Sequence, residues 1–157
     1  MPRTVGIGHQ DFEKLRIKNN FYIDKTSFIK EWWEAGDDVT LITRPRRFGK
    51  TLNLSMLEKF FSVDFTGKGE LFEGLFIWED KKYQQIQGTY PVIFISFAGM
   101  KENTFIEARK SICRVIEEQY NKNDYLLKDD LLNEKEKQFY QEVSTHMSDS
   151  TAGAALR

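Results

Sequence analysis

Leu41-Ile42-Thr43-Arg44-Pro45-Arg46-Arg47-Phe48-Gly49-Lys50-Thr51 is the stretch on which the reading of this chain turns. A short apolar, β-branched run, Val39 to Thr43, feeds a basic loop, and Gly-Lys-Thr then opens an apolar-periodic segment, Lys50 to Phe61. Binding a phosphate takes converging backbone N–H groups, a positive charge and the N-terminus of a helix. A strand, a tight loop and a helix in that order supply all three. Gly49 lets the backbone approach phosphate closely. Lys50 is placed to reach the β- and γ-phosphates, and Thr51 to set its hydroxyl on Mg²⁺. The nucleotide-binding set is therefore Arg44, Pro45, Arg46, Arg47, Phe48, Gly49, Lys50, Thr51 and Leu52, with Lys50 the catalytic candidate and Thr51 the metal ligand. The competing reading is a strand–turn–helix whose lysine is merely solvated. The loop departs from the motif at Arg44, where glycine is expected; a left-handed residue there would cost about 1–2 kcal/mol.

Working outward, Asp11 to Ile17 suits a short helix with Phe12 and Leu15 inward. Phe21 to Ile23 reads as extended. In Lys25 to Ala35, Phe28, Ile29, Trp32 and Trp33 recur at helical spacing, with Asp24 as the expected cap and Gly36 as the expected stop. Tyr90 to Phe97 is the strongest strand candidate, with Pro91 tolerable at its start. Phe105 to Tyr120 and the charged stretch Leu126 to Met147 read as helical, while no anchor is evident for the tail after it. The alternation of helix and strand predicts an α/β fold, a P-loop NTPase-like three-layer sandwich. In it Val39–Thr43 and Val92–Phe97 are buried strands running parallel in one sheet.

Composition sets limits on this. The chain has 157 residues, 40% hydrophobic and 14% aromatic, which favours a folded protein over disorder. A formal net charge of −1 argues against a broad nucleic-acid coat, although Arg44, Arg46 and Arg47 leave a local nucleic-acid-binding loop open. The one cysteine, Cys113, forms no intrachain disulfide and no zinc site; inside an apolar helical stretch it reads as a small buried hydrophobe. No secretion signal and no apolar run of membrane-spanning length is visible, so a cytoplasmic protein without membrane contact is expected.

Four blocks in order, GIGHQDFEKLR (Gly6 to Arg16), FYIDKT (Phe21 to Thr26), TRPRRFGKTLNLSML (Thr43 to Leu57) and YPVIFISF (Tyr90 to Phe97), resemble the predicted AAA-ATPase-like family of prokaryotes. Members look similar in carrying Arg where the first loop glycine belongs. The resemblance covers the first two-thirds of the chain. It implies ATP and Mg²⁺ as cofactors, an acidic second motif beyond this region, and often a nuclease-like C-terminal domain through which nucleic acid becomes a possible partner. Placed upstream of the loop, FYIDKT brings Tyr22, Asp24 and Lys25 to a possible adenine side, against the blander reading in which Asp24 caps a helix.

A P-loop ATPase also needs a carboxylate at a strand end to hold Mg²⁺ and orient water. No apolar run here ends in one, so the nucleotide-binding domain, residues 1–157, reads as truncated. The expected function is ATP binding, with nucleotide state coupled to another domain or partner. A non-hydrolysing nucleotide- or anion-binding fragment is the first alternative, and a nucleic-acid-binding module using the RPRR loop the second. The chain by itself is expected neither to turn over ATP at a useful rate nor to fold robustly.

Overall fold

Asp11 accepts a hydrogen bond from the Lys14 N–H, 2.9 Å away, which caps helix α1, Phe12–Ile17. Phe12 and Leu15 lie on the inward side and are buried, as their spacing predicts. The computed structural model describes residues 5, 8–128 and 131–156. Most of the irregular start, including Gly6 and Ile7 of the first block, lies outside the described residues, as do Asp129 and Asp130 within the charged segment.

Helix α2 spans Ser27–Ala35 and ends before Gly36, the expected stop. Helix α3, Lys50–Phe61, has the bounds its apolar period predicts. Its inward stripe is Met56, Phe60 and Phe61, with Leu52 and Leu57 packed partly buried beside them. Three short 3₁₀ turns follow, at Val63–Phe65, Gly69–Phe72 and Phe76–Glu79, then α4, Lys81–Ile86. Contacts divide the chain into two units, Met1–Val92 and Ile93–Arg157.

The first unit is built on aromatic side chains. Phe72 stacks on Phe12 at 5.2 Å and meets Phe60 edge-on at 5.0 Å. Trp33 stacks on Phe61 at 5.3 Å. Truncating one such buried ring costs about 3–5 kcal/mol. Polar contacts fix how the elements meet. The Phe12 N–H donates to Ser55 Oγ on α3 (3.1 Å), and Arg16 donates to the carbonyls of Leu71 and Glu73, both at 2.7 Å. Gly88 closes the unit: its N–H donates to the Phe60 carbonyl at 2.8 Å, and a Cβ there would come within 2.7 Å of the Thr66 Cα. That close approach to backbone admits no side chain.

The second unit centres on α5, Phe105–Lys122, capped by Thr104 Oγ1, with α6, Glu134–Glu142, and α7, Asp149–Ala154. Its core is Cys113, Ile116, Val143 and Met147, flanked by Tyr120, Phe139, Ala152 and Ala155. The burial of Cys113 agrees with the sequence reading. The tail does have an anchor: Asp149 pairs with Arg109 at 2.5 Å, and the Tyr120 hydroxyl donates to the Ala155 carbonyl at 3.2 Å.

The three-layer sandwich with a parallel sheet does not hold. Among the described residues there is no strand; one isolated parallel bridge joins Ser62 and Tyr90. Val39–Thr43 is neither a strand nor buried, with Val39 84% and Leu41 82% exposed. Val92–Phe97 likewise forms no strand, and Ile93 is 69% exposed. The physical reason is that a strand is only half of a structure. Its N–H and C=O groups need a second extended segment at ladder distance. Neither run has one among the described residues, whereas each helix satisfies its backbone within its own sequence.

Candidate nucleotide-phosphate site

The loop joins α3 through two residues with left-handed backbone, Arg47 (φ 69°) and Gly49 (φ 76°). Arg44, the residue where strain was expected, is not among the left-handed ones. The cost therefore falls on Arg47, at about 1–2 kcal/mol for a residue with a Cβ. At Gly49 the same conformation is free of that penalty. The left-handed turn at Gly49 starts α3 without a capping side chain, and the Asn53 N–H donates to the Gly49 carbonyl at 2.9 Å as the first helical bond. The amides of the first helical turn are left without intrahelical acceptors, and the helix dipole adds positive potential there.

Lys50 occupies the first position of this helix. Its ammonium turns back across the loop and donates to the Arg44 carbonyl, so the loop closes on its own lysine. Arg44, Pro45, Arg46, Arg47 and Phe48 are exposed; Gly49, Lys50 and Leu52 are half-buried, and Thr51 presents an exposed hydroxyl in the first turn. Leu52 packs against the core of the first unit. None of Lys25, Arg44, Arg46, Arg47 and Lys50 enters an ion pair among the described residues.

FYIDKT is held by hydrogen bonds to the 3₁₀ turn at Phe76–Glu79 and to the middle of α3. Asp24 is not the α2 cap; Thr26 takes that position. One Asp24 oxygen accepts from the Thr26 N–H (2.8 Å) and hydroxyl (2.7 Å), and the other accepts from the Phe76 N–H (2.8 Å). Thr26, fully buried, also accepts from the Ile77 N–H at 3.2 Å. Partial burial by itself would raise the Asp24 pKa, but these donors, with Arg16 nearby, hold the carboxyl below its ordinary value. The Tyr22 hydroxyl donates to Met56 Sδ on α3 and accepts from the Lys25 N–H, each at 3.3 Å, and burial pushes this phenol up to about 12.

Lys25, read in the sequence as a possible adenine-side residue, lies beside the loop. Its ammonium lies 4.0 Å from where a Cβ on Gly49 would stand, at the head of α3. No local signal could have shown it, because the contact joins residues 24 positions apart and depends on how Tyr22, Asp24 and Thr26 are tied down. Trp32 and Trp33 pack against the core, with Trp32 Nε1 donating to Thr40 Oγ1 at 3.0 Å. His9, given no role in the sequence, shares a 2.9 Å hydrogen bond with Asn20.

A family model described as AAA-ATPase-like, a predicted AAA-ATPase, matches residues 6–154. The chain belongs to this predicted AAA-ATPase family. Among curated proteins, the chain is similar to an uncharacterized protein in the vnfD 5′ region of Azotobacter chroococcum mcd 1, 37% identical over 98 residues. That match covers 62% of this chain and 17% of the relative, so the chain spans about a sixth of its length. No solved structure matches. No helix among the described residues is long and apolar enough to cross a membrane.

Proposed function

We propose that this member of the predicted AAA-ATPase family binds the phosphates of ATP on the loop Arg44–Thr51, and that nucleotide state is coupled to another domain or partner. The observation that carries this reading is the closure of the loop by Lys50: an ammonium folded over a left-handed glycine turn, at the uncapped N-terminus of a 12-residue helix. Such an arrangement offers an anion a charge, oriented amides and a dipole at one place. Arg44 holds the lysine through a carbonyl, and a phosphate oxygen, carrying a full charge, is the stronger acceptor for it.

The residues suit Mg-ATP by the chemistry of their donors. Lys50 and the first-turn amides of α3 would take phosphate oxygens, and the exposed Thr51 hydroxyl would take the metal ion. Mg²⁺ would supply charge neutralisation between the phosphate groups. This chain's own part is to bind and orient the phosphate chain. Coupling to a further domain fits a chain that spans about a sixth of its relative, and remains part of the proposal.

Lys50→Ala tests this. Alanine keeps the helix propensity of the site and removes the cation. Calorimetric titration with Mg-ATP should show affinity lowered at least tenfold, about 1.4 kcal/mol. An unchanged affinity in a folded Lys50→Ala protein would overturn the reading.

A further inference from the structure

Lys25 brings a second ammonium to the head of α3. Three features of the FYIDKT segment determine where it goes. Asp24 and Thr26 flank it and are bonded to the Phe76 and Ile77 amides, so the backbone on both sides of Lys25 is pinned. The Lys25 N–H itself is bonded to the Tyr22 hydroxyl, and that hydroxyl is bonded to Met56 in the middle of α3. The segment is thus referenced to the helix whose first turn forms the phosphate site. From this fixed base the side chain extends to Gly49, 4.0 Å from the position of a Cβ there.

Charge makes the placement informative. Lys25, Lys50 and the loop residues Arg44, Arg46 and Arg47 form no ion pair among the described residues. The chain nonetheless carries 24 acidic residues against 23 basic ones. Cations placed side by side without carboxylates repel one another, and a bound polyanion turns that repulsion into attraction. Adenine, by contrast, is neutral and gains little from an exposed ammonium; it needs an apolar slot and oriented hydrogen bonds.

Resting on the proposed phosphate site, we infer that Lys25 is a phosphate-binding residue of that site, pairing with the phosphate chain alongside Lys50, rather than a residue of the base pocket. Tyr22, Asp24 and Thr26 serve it as positioning residues. Lys25 is exposed, so its replacement should leave the packing of the first unit intact.

The experiment titrates the full chain, its Lys25→Met and Lys25→Arg variants and Lys50→Ala with two probes, Mg-ATP and inorganic tripolyphosphate, with circular dichroism to confirm folding. Lys25→Met should weaken both probes alike, by about fivefold or more for loss of a charge-assisted contact, and Lys25→Arg should keep most of the affinity. Weaker binding of ATP with tripolyphosphate unaffected would place Lys25 on the base side and overturn the inference. If Lys25→Met changes neither probe while Lys50→Ala weakens both, the inference falls and the phosphate loop stands. If Lys50→Ala and Lys25→Met both leave the two probes unchanged, the loop reading falls and the inference with it.

Discussion

Asp24 shows how one residue can look like one thing in sequence and do another in the fold. Asp before an apolar-periodic run is the usual start signal of a helix, yet here one carboxylate oxygen accepts from Thr26, ahead of the first helical residue, and the other from the Phe76 amide 52 residues on. Its chemistry as an acceptor was legible; its partner was not, because the choice between a local and a distant N–H is made by tertiary packing. The bonds have a consequence in pH. The folded carboxyl ionises below its ordinary value of 3.8, so its stabilising contribution is complete above that value. It is lost as pH falls through the lower folded value. Urea melts of the wild type and Asp24→Asn should therefore differ most near pH 6, with the wild type more stable by about 1–3 kcal/mol. The gap should close as the pH drops below 3.8. A gap that widens on acidification would mean that Asp24 is not held as a charged acceptor.

Among the elements, α1, α2, α3 and α5 were read well, the charged stretch Leu126 to Met147 is α-helical among the described residues only over Glu134–Glu142, and the two expected strands did not form. The Lys50–Phe61 helix was legible to the residue, since its apolar stripe and its Gly-Lys-Thr opening lie within one continuous stretch. The same holds for Phe12 and Leu15 in α1. Val39–Thr43 and Val92–Phe97 carry residue types that favour strands, but β-branched and apolar content describes a willingness to pair and names no partner. The 3₁₀ turns between Val63 and Glu79 had no periodic signature to read, being too short to show one. The backbone amides of 39–43 and 92–97 donate no hydrogen bond among the described residues. Hydrogen exchange followed by mass spectrometry should therefore find these two segments exchanging within seconds, while the amides of Ser55 to Phe61 in α3 stay protected far longer. Protection of 39–43 comparable to that of α3 would show the segment paired in solution.

At the scale of the whole molecule, the two units differ in how much each buries. The first surrounds Phe12, Phe60 and Phe72 with further aromatic rings, and the second relies on four buried side chains, of which one is a cysteine. Burial of each such aliphatic or aromatic side chain is worth about 1.5–3 kcal/mol, which leaves the second unit the weaker. The division at Ile93 was not legible in sequence, because no glycine-, proline- or serine-rich linker marks it.

The three tryptophans, Trp32, Trp33 and Trp78, all pack on the first core, and the sole thiol, Cys113, is sealed in the second. Nature has thus given each unit a separate reporter, one optical and one chemical, with no labelling site to be engineered. In a urea series, Cys113 should become reactive toward a thiol reagent at lower denaturant than that at which tryptophan emission shifts. Coincident midpoints would mean that the two units open as one. Because the proposed phosphate loop lies in the tryptophan-bearing unit, saturating Mg-ATP should move the emission midpoint upward by mass action. Any accompanying slowing of the thiol reaction would then measure how strongly a nucleotide on one unit is felt by the other.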